Sequence, residues 1–158
     1  MHATITRATA ADAAACVTLR GRTRENAVSV ERLRALGITA ESWADDIASG
    51  RVVGWTAHDG ERLAGYCFGA PRTGEVVVLA LLPEYERRGL GRTLLQHVVD
   101  DLFAAGHERL FLGCNPDPRV RSHGFYRHLG WRGSGELDAH GDEVLWLRRT
   151  HGGAPAAS

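Results

Sequence analysis

Lysine is absent from this chain: all nineteen of its basic residues are arginine. That excludes a P-loop, whose last glycine must be followed by a lysine that reaches the phosphates. Surplus charge is absent too, since 19 basic side chains face 19 acidic ones. The broad basic surface that nucleic acid demands of its main partners is therefore missing. Long apolar runs are lacking as well. The longest, Val76 to Leu82, is far short of the ~20 residues that span a bilayer, so no membrane partner is expected. The N-terminal stretch has no signal core, because Arg7 and Asp12 interrupt it, and the expected compartment is the cytoplasm. Cysteine is scarce: Cys16, Cys67 and Cys114 are odd in number and form no C-x-x-C, as reduced thiols do. None of the eight histidines belongs to an H-E-x-x-H motif, and His123 and His128, five apart, do not share a helix face. No metal is expected. What is left is a globular chain of 158 residues, 44% hydrophobic and 24% charged, with one core. Arginine without lysine, beside abundant alanine and glycine, points to a GC-rich bacterial genome.

Apolar periodicity and turn residues then divide the chain. Ile5 lies in a short first strand, and Thr9-Ala10-Ala11-Asp12 has the form of a capping box opening a helix to about Arg24. Ser29 caps a short helix ending before Gly37, and Thr39 caps another that Gly50 stops. Arg51 to His58 and Leu63 to Ala70 read as strands joined at Asp59-Gly60. After a further strand and a long helix that Gly106 ends, Leu110-Phe111-Leu112 is a strand and Ser122 to Leu129 a short helix. Trp131 to Leu137 and Val144 to Leu147 pair across a turn near His140-Gly141. Residues 151–158 form a disordered tail, which leaves residues 1–150 as one domain. Strands before and after the helices predict an α/β (α+β) fold, a mixed sheet with helices on both faces.

Between residues 74 and 105 the order is strand, basic glycine turn, helix. The strand is Val76 to Leu82; the turn is Pro83-Glu84-Tyr85-Glu86-Arg87-Arg88-Gly89-Leu90-Gly91-Arg92; the helix begins near Thr93 with an apolar stripe through Leu94, Leu95, Val98, Val99, Leu102 and Phe103. A helix N-terminus leaves N–H groups unpaired and carries partial positive charge, which favours an anion. Gly89 and Gly91 lack a Cβ, so their backbone can press against it, while Arg87, Arg88 and Arg92 add full charges. A dinucleotide fingerprint would need a third glycine where Leu94 stands. The pattern predicts a pyrophosphate site.

Leu81 to Arg92 resembles the acyl-CoA pyrophosphate loop of the GCN5-related N-acetyltransferase (GNAT) family. Gly124-Phe125-Tyr126-Arg127-His128-Leu129-Gly130-Trp131 is similar to that family's second signature, F-Y-x-x-L-G-aromatic. The resemblance spans residues 74 to 147 and is weak before residue 50. It implies a single-domain GNAT fold with a mostly antiparallel central sheet, in which the strands ending near Leu82 and Cys114 splay apart to admit acetyl-CoA. It assigns cofactor contacts to Leu81, Leu82, Arg87, Arg88, Gly89, Leu90, Gly91, Arg92 and Thr93, and Arg121 would meet a CoA phosphate. One departure is Glu86, where the family usually carries Gln or Arg; its carboxylate adds repulsion, and the expected consequence is weaker cofactor affinity.

Acetyl transfer to an amine needs a proton acceptor, N–H donors for the oxyanion and a donor for the departing thiolate. By resemblance Tyr126 is the donor, with packing against Phe125 and Trp131 as the alternative. Glu75, eight residues before Pro83, is the base, with a solvated carboxylate opening a strand as the alternative. Backbone N–H groups near Leu81 and Leu82 would hold the oxyanion, and Asn26 would touch the acceptor. Arg20, Arg22 and Arg24 read as a solvated helical edge, with the alternative, implied by the resemblance, that this early helical region lines the acceptor pocket. The expected function is an acetyl-CoA-dependent N-acetyltransferase acting by direct attack of a primary amine, of a small molecule first, or of a protein or peptide. The rivals are a non-catalytic acyl-CoA sensor and a binder of some other nucleotide. The reading leaves room for a homodimer.

Overall fold

The computed structural model describes residues 3–23 and 27–150. Seven strands make one sheet in the order β1-β2-β3-β4-β5-β7-β6. They are β1 (Thr4–Arg7), β2 (Val53–Asp59), β3 (Arg62–Ala70), β4 (Glu75–Leu81), β5 (Arg109–Cys114), β6 (Arg132–Leu137) and β7 (Glu143–Arg148). The helices are α1 (Ala13–Arg20), α2 (Val30–Ala35), α3 (Ala40–Ser49), α4 (Leu90–Ala104) and α5 (Arg121–His128). Every neighbouring pair of strands is antiparallel except β4 with β5. The expected mixed, mostly antiparallel sheet is the one that forms.

Local chemistry explains most helix ends. The N–H of Thr9 donates to the Asp12 carboxylate at 2.8 Å, so the capping box forms. Ser29 Oγ accepts from the Arg32 N–H at 3.0 Å, and Thr39 Oγ1 accepts from the Ser42 N–H at 3.1 Å. Gly50 ends α3 in the left-handed conformation. Two boundaries differ from expectation. The first helix closes at Arg20, because Gly21 is a poor continuation residue and the Val28 N–H returns to bond the Arg20 carbonyl at 2.9 Å. The long helix starts at Leu90, ahead of Thr93, because Gly89 already takes the N-cap with φ 79°.

The central strand β3 is buried on both faces from Leu63 to Gly69. A Cβ on Gly69 would lie 2.8 Å from Val98 and 2.9 Å from Leu102 of α4. The ring of its neighbour Phe68 instead meets Trp43 of α3 edge-on at 5.2 Å. One residue faces each layer, as the period of a strand requires, so helices cover both sides here.

Strands β4 and β5 pair only at their beginnings. Glu75 is opposite Phe111, and the Phe111 N–H donates to the Gly74 carbonyl at 3.1 Å. A register shift against Phe68 and Gly69 leaves Val77 bulged and 39% exposed. A bulge bends its strand, and beyond it β4 leaves β5, which stays paired to β7 through Cys114. The gap between the ends of these two strands is the splay expected from the resemblance.

Candidate active site

The turn after β4 is anchored before it becomes an anion site. Pro83–Tyr85 form one 3₁₀ turn; Tyr85 is buried, and its hydroxyl donates to Asp59 at 2.7 Å. Arg87 then adopts φ 65° and Gly89 φ 79°. A left-handed arginine is strained by roughly 1–2 kcal/mol, and alternating backbone handedness turns successive N–H groups into one concavity. No side chain caps the fifteen-residue helix α4, and its first turn holds no acidic residue. Its opening N–H groups and the positive end of its dipole therefore face the same hollow. A Cβ on Gly91 would sit 3.1 Å from Leu81 and 3.7 Å from Phe125, so this close approach needs glycine. This cradle of amides and arginines fits a diphosphate.

The hollow continues into a cavity of about 280 Å³ that runs along Leu79, Ala80 and Leu81 to Tyr126. Successive residues of a strand aim their N–H groups to opposite edges. The Leu82 N–H donates to the Ala64 carbonyl of β3 at 2.9 Å, so the Leu81 N–H points the other way, into the gap that β5 has vacated. Leu82, expected to share in holding cofactor and oxyanion, has thus committed its amide to the sheet. The donors available to an oxyanion are those of Leu79 and Leu81.

Tyr126 comes from α5, with its ring edge-on to Phe125 at 5.1 Å and to Trp131 at 6.1 Å. Burial pushes its hydroxyl above the ordinary phenol range; Cys67 and Cys114 push the same way, and Arg20 opposes them. The phenol is protonated at neutral pH. Burial likewise raises the Cys114 thiol beside it, against the Ser122 hydrogen bond and Arg127, which keeps it in the thiol form.

Among the other predicted residues, Arg87, Gly89, Gly91, Arg92 and Arg121 line the cavity with Leu81 and Tyr126. Arg88 is exposed and Leu90 half-buried, outside the lining. The Thr93 hydroxyl bonds back to the Gly89 carbonyl at 3.0 Å, which steadies the first turn of α4. Arg121 forms an ion pair with Glu86, so the carboxylate that departs from the family pattern is balanced within the site. Glu75 stands at the far end of β4, outside the cavity lining; burial foremost, then Asp138, raise its carboxyl above the usual range, against His140. Asn26 lies outside the described residues. Asn115 accepts from the Asp117 N–H at 3.0 Å to hold its own turn.

Arg20 and Thr23 line the same cavity from the end of α1. The arginines at the end of α1 read in sequence as a solvated edge, although the family resemblance puts this early helical region at the acceptor pocket; the fold brings Arg20 into one lining with Tyr126. Among the described residues of the lining, the charged ones are Arg20, Arg87, Arg92, Arg121 and Glu86. Among the described residues no group of three or more His, Cys, Asp or Glu could hold a metal, and no helix is long and apolar enough to cross a membrane.

Comparison with known proteins agrees with this fold. A mycothiol acetyltransferase of Beutenbergia cavernae is 32% identical over 112 residues, which are 68% of this chain and 35% of that protein. The chain thus spans about a third of the length of that relative. The PaiA N-acetyltransferase of Thermoplasma acidophilum, solved in complex with coenzyme A, superposes with a TM-score of 0.76 at 18% identity, over 94% of this chain and 100% of that one. The ribosomal-protein-S18-alanine N-acetyltransferase of Escherichia coli superposes at 0.66 with 21% identity, over 93% and 94% of the two chains. Residues 16–131 match the Acetyltransferase (GNAT) family, so the chain belongs to that family of acetyl-CoA-dependent acetyltransferases.

Proposed function

We propose that this protein transfers the acetyl group of acetyl-CoA to a primary amine of a small molecule, by direct attack of the amine on the thioester. The observation that carries the reading is a single cavity that joins the amide cradle of α4 to the Tyr126 hydroxyl. Acetyl-CoA supplies the activated acetyl group. Arg87, Arg92 and the α4 amides hold the diphosphate, and the vacated edge of β4 orients what extends from it. The Leu79 and Leu81 N–H groups stabilise the oxyanion, because donors fixed in a dry cleft need no reorganisation. Tyr126 donates to the departing sulfur. Glu75 is our candidate for the proton acceptor, acting through water from the start of β4, and its raised carboxyl is a better base than an ordinary glutamate.

A small acceptor is favoured over a protein one on two grounds. The relative sharing 32% identity is named for mycothiol, whereas the neighbour named for a ribosomal-protein alanine shares 21%. The acceptor must also enter a cavity of about 280 Å³ that the thioester already shares. The test is thiol release over a panel of amines and peptides, alongside calorimetry with acetyl-CoA. Turnover on small amines alone is the expected result. Tight acetyl-CoA binding without turnover on any amine would make the protein a sensor, and turnover on peptides alone would make it a protein acetyltransferase.

A further inference from the structure

Arg20 and Thr23 stand where no cofactor phosphate is needed. The diphosphate belongs at the α4 end of the cavity, yet the Arg20 charge is felt by the hydroxyls of both Tyr66 and Tyr126, at the reacting end. Arg20 closes α1, and its carbonyl is held by the Val28 N–H. Thr23, three residues on, has a buried hydroxyl with no hydrogen-bond partner, and it lines the same cavity. An orphaned buried hydroxyl is rare in folded proteins, and beside a cavity its natural partner is a ligand atom.

The charge around this end constrains that ligand. With the diphosphate held by Arg87 and Arg92 and Glu86 paired to Arg121, the guanidinium that the described lining places at this end is that of Arg20, whose charge both tyrosine hydroxyls feel. Such a field eases loss of the ammonium proton but repels a plain cationic amine. An amine that also bears a carboxylate is neutral overall. Its carboxylate suits the planar fork of an arginine, and a hydroxyl can donate to the remaining lone pairs.

Resting on the acetyl-transfer reading, we propose that Arg20 and Thr23 form an acceptor subsite that binds a carboxylate carried near the reacting amine, so that the acceptor is of the amino-acid type. The test uses matched triples of an amino acid, its amide and its decarboxylated amine across several side-chain sizes. The acid should be preferred in kcat/KM by tenfold or more. Arg20→Gln should erase that preference by lowering the acid's kcat/KM while that of the decarboxylated amine holds or rises. Thr23→Val should raise the acid's KM several-fold at unchanged kcat, and Thr23→Ser, which keeps the hydroxyl, should restore it. In all three variants calorimetry should find acetyl-CoA binding unchanged. The subsite is overturned if amides or plain amines react as well as the acids, or if Arg20→Gln weakens acetyl-CoA instead. Should no amine be acetylated, the function proposed above fails separately. The subsite is then judged by binding to the protein loaded with coenzyme A: acids held in the wild type and lost in Arg20→Gln support it, and acids not held refute it.

Discussion

At the α4 end of the cleft the groups to which we assign cofactor binding are main-chain amides, set by Arg87 and Gly89 in the left-handed region and by a glycine that lets the backbone come close. At the Tyr126 end they are side chains, brought from α1, β4 and α5. The first end tolerates changes of side chain but not the addition of a Cβ. The second depends on the identity of each group and is where an acceptor can be chosen. This difference predicts how variants should sort: steric changes at the loop abolish binding, and chemical changes at the far end alter rate while binding persists.

The largest effect should come from Gly91→Val. Its Cβ would lie 3.1 Å from Leu81 and close the cradle. Acetyl-CoA affinity should fall by roughly 100-fold, about 2.7 kcal/mol, and overpacking should cost a further ~1–3 kcal/mol in stability. Calorimetry and thermal melting separate the two. Affinity retained in a folded Gly91→Val protein would break the contrast between the ends, because the loop would then bind through its side chains.

Tyr126→Phe tests the other end. The ring contacts with Phe125 and Trp131 survive, and only the hydroxyl goes. Turnover should drop roughly 100-fold, the lower range for loss of a general acid, with acetyl-CoA affinity unchanged. An unaltered kcat would leave Tyr126 as packing.

The same contrast explains what could be read in the chain before it folds. The loop is a contiguous run whose glycines, arginines and following apolar stripe each have one physical meaning, so a glycine turn opening a helix onto a cavity was legible from residues 83–92. Caps at Ser29 and Thr39 were legible for the same reason, since each partner lies three residues away. At the far end Tyr126 stood out in the F-Y-x-x-L-G-aromatic segment, but Arg20 and Thr23 did not. Arg20 and Thr23 reach the cavity only because α1 packs on β3 next to β4, and nothing local distinguishes a cavity arginine from a solvated one. The Leu82 amide was misjudged because which edge of β4 an N–H faces depends on the register with β3, a long-range fact.

Glu75→Gln should have a smaller effect, visible against pH. Burial, with Asp138 next, raises the Glu75 carboxyl, so the folded protein holds that proton more tightly than the unfolded chain. The stability this contributes is present below the ordinary carboxylate range and is lost as pH rises through the raised value. Glu75→Gln should therefore melt higher than the wild type at neutral pH and show no such gain in acid. If Glu75 is the base, its rising limb in kcat/KM should disappear with it. A superimposable pH–rate profile with the melting shift intact would make Glu75 a buried carboxylate without a role in proton transfer.

The smallest effect belongs to Glu86, where the two ends of the cleft meet. From sequence its carboxylate only repels a diphosphate. In the structure it is paired with Arg121, with side chains 15% and 41% exposed, so part of its field is cancelled and part of Arg121's attraction is spent. Glu86→Gln removes the repulsion and returns the guanidinium to the cavity at once, and both changes favour an anion. Because the pair is partly solvated, the gain should be modest, about 0.5–1 kcal/mol or roughly a two- to fivefold tighter acetyl-CoA complex. It should shrink as salt is raised, since the added attraction is largely through solvent. Arg121→Gln in the same assay should weaken the complex if Arg121 meets a phosphate, and leave it unchanged if Arg121 serves only to neutralise Glu86. A weaker complex in Glu86→Gln would mean that the pair shapes the loop, and the amide cradle would then depend on a side chain after all.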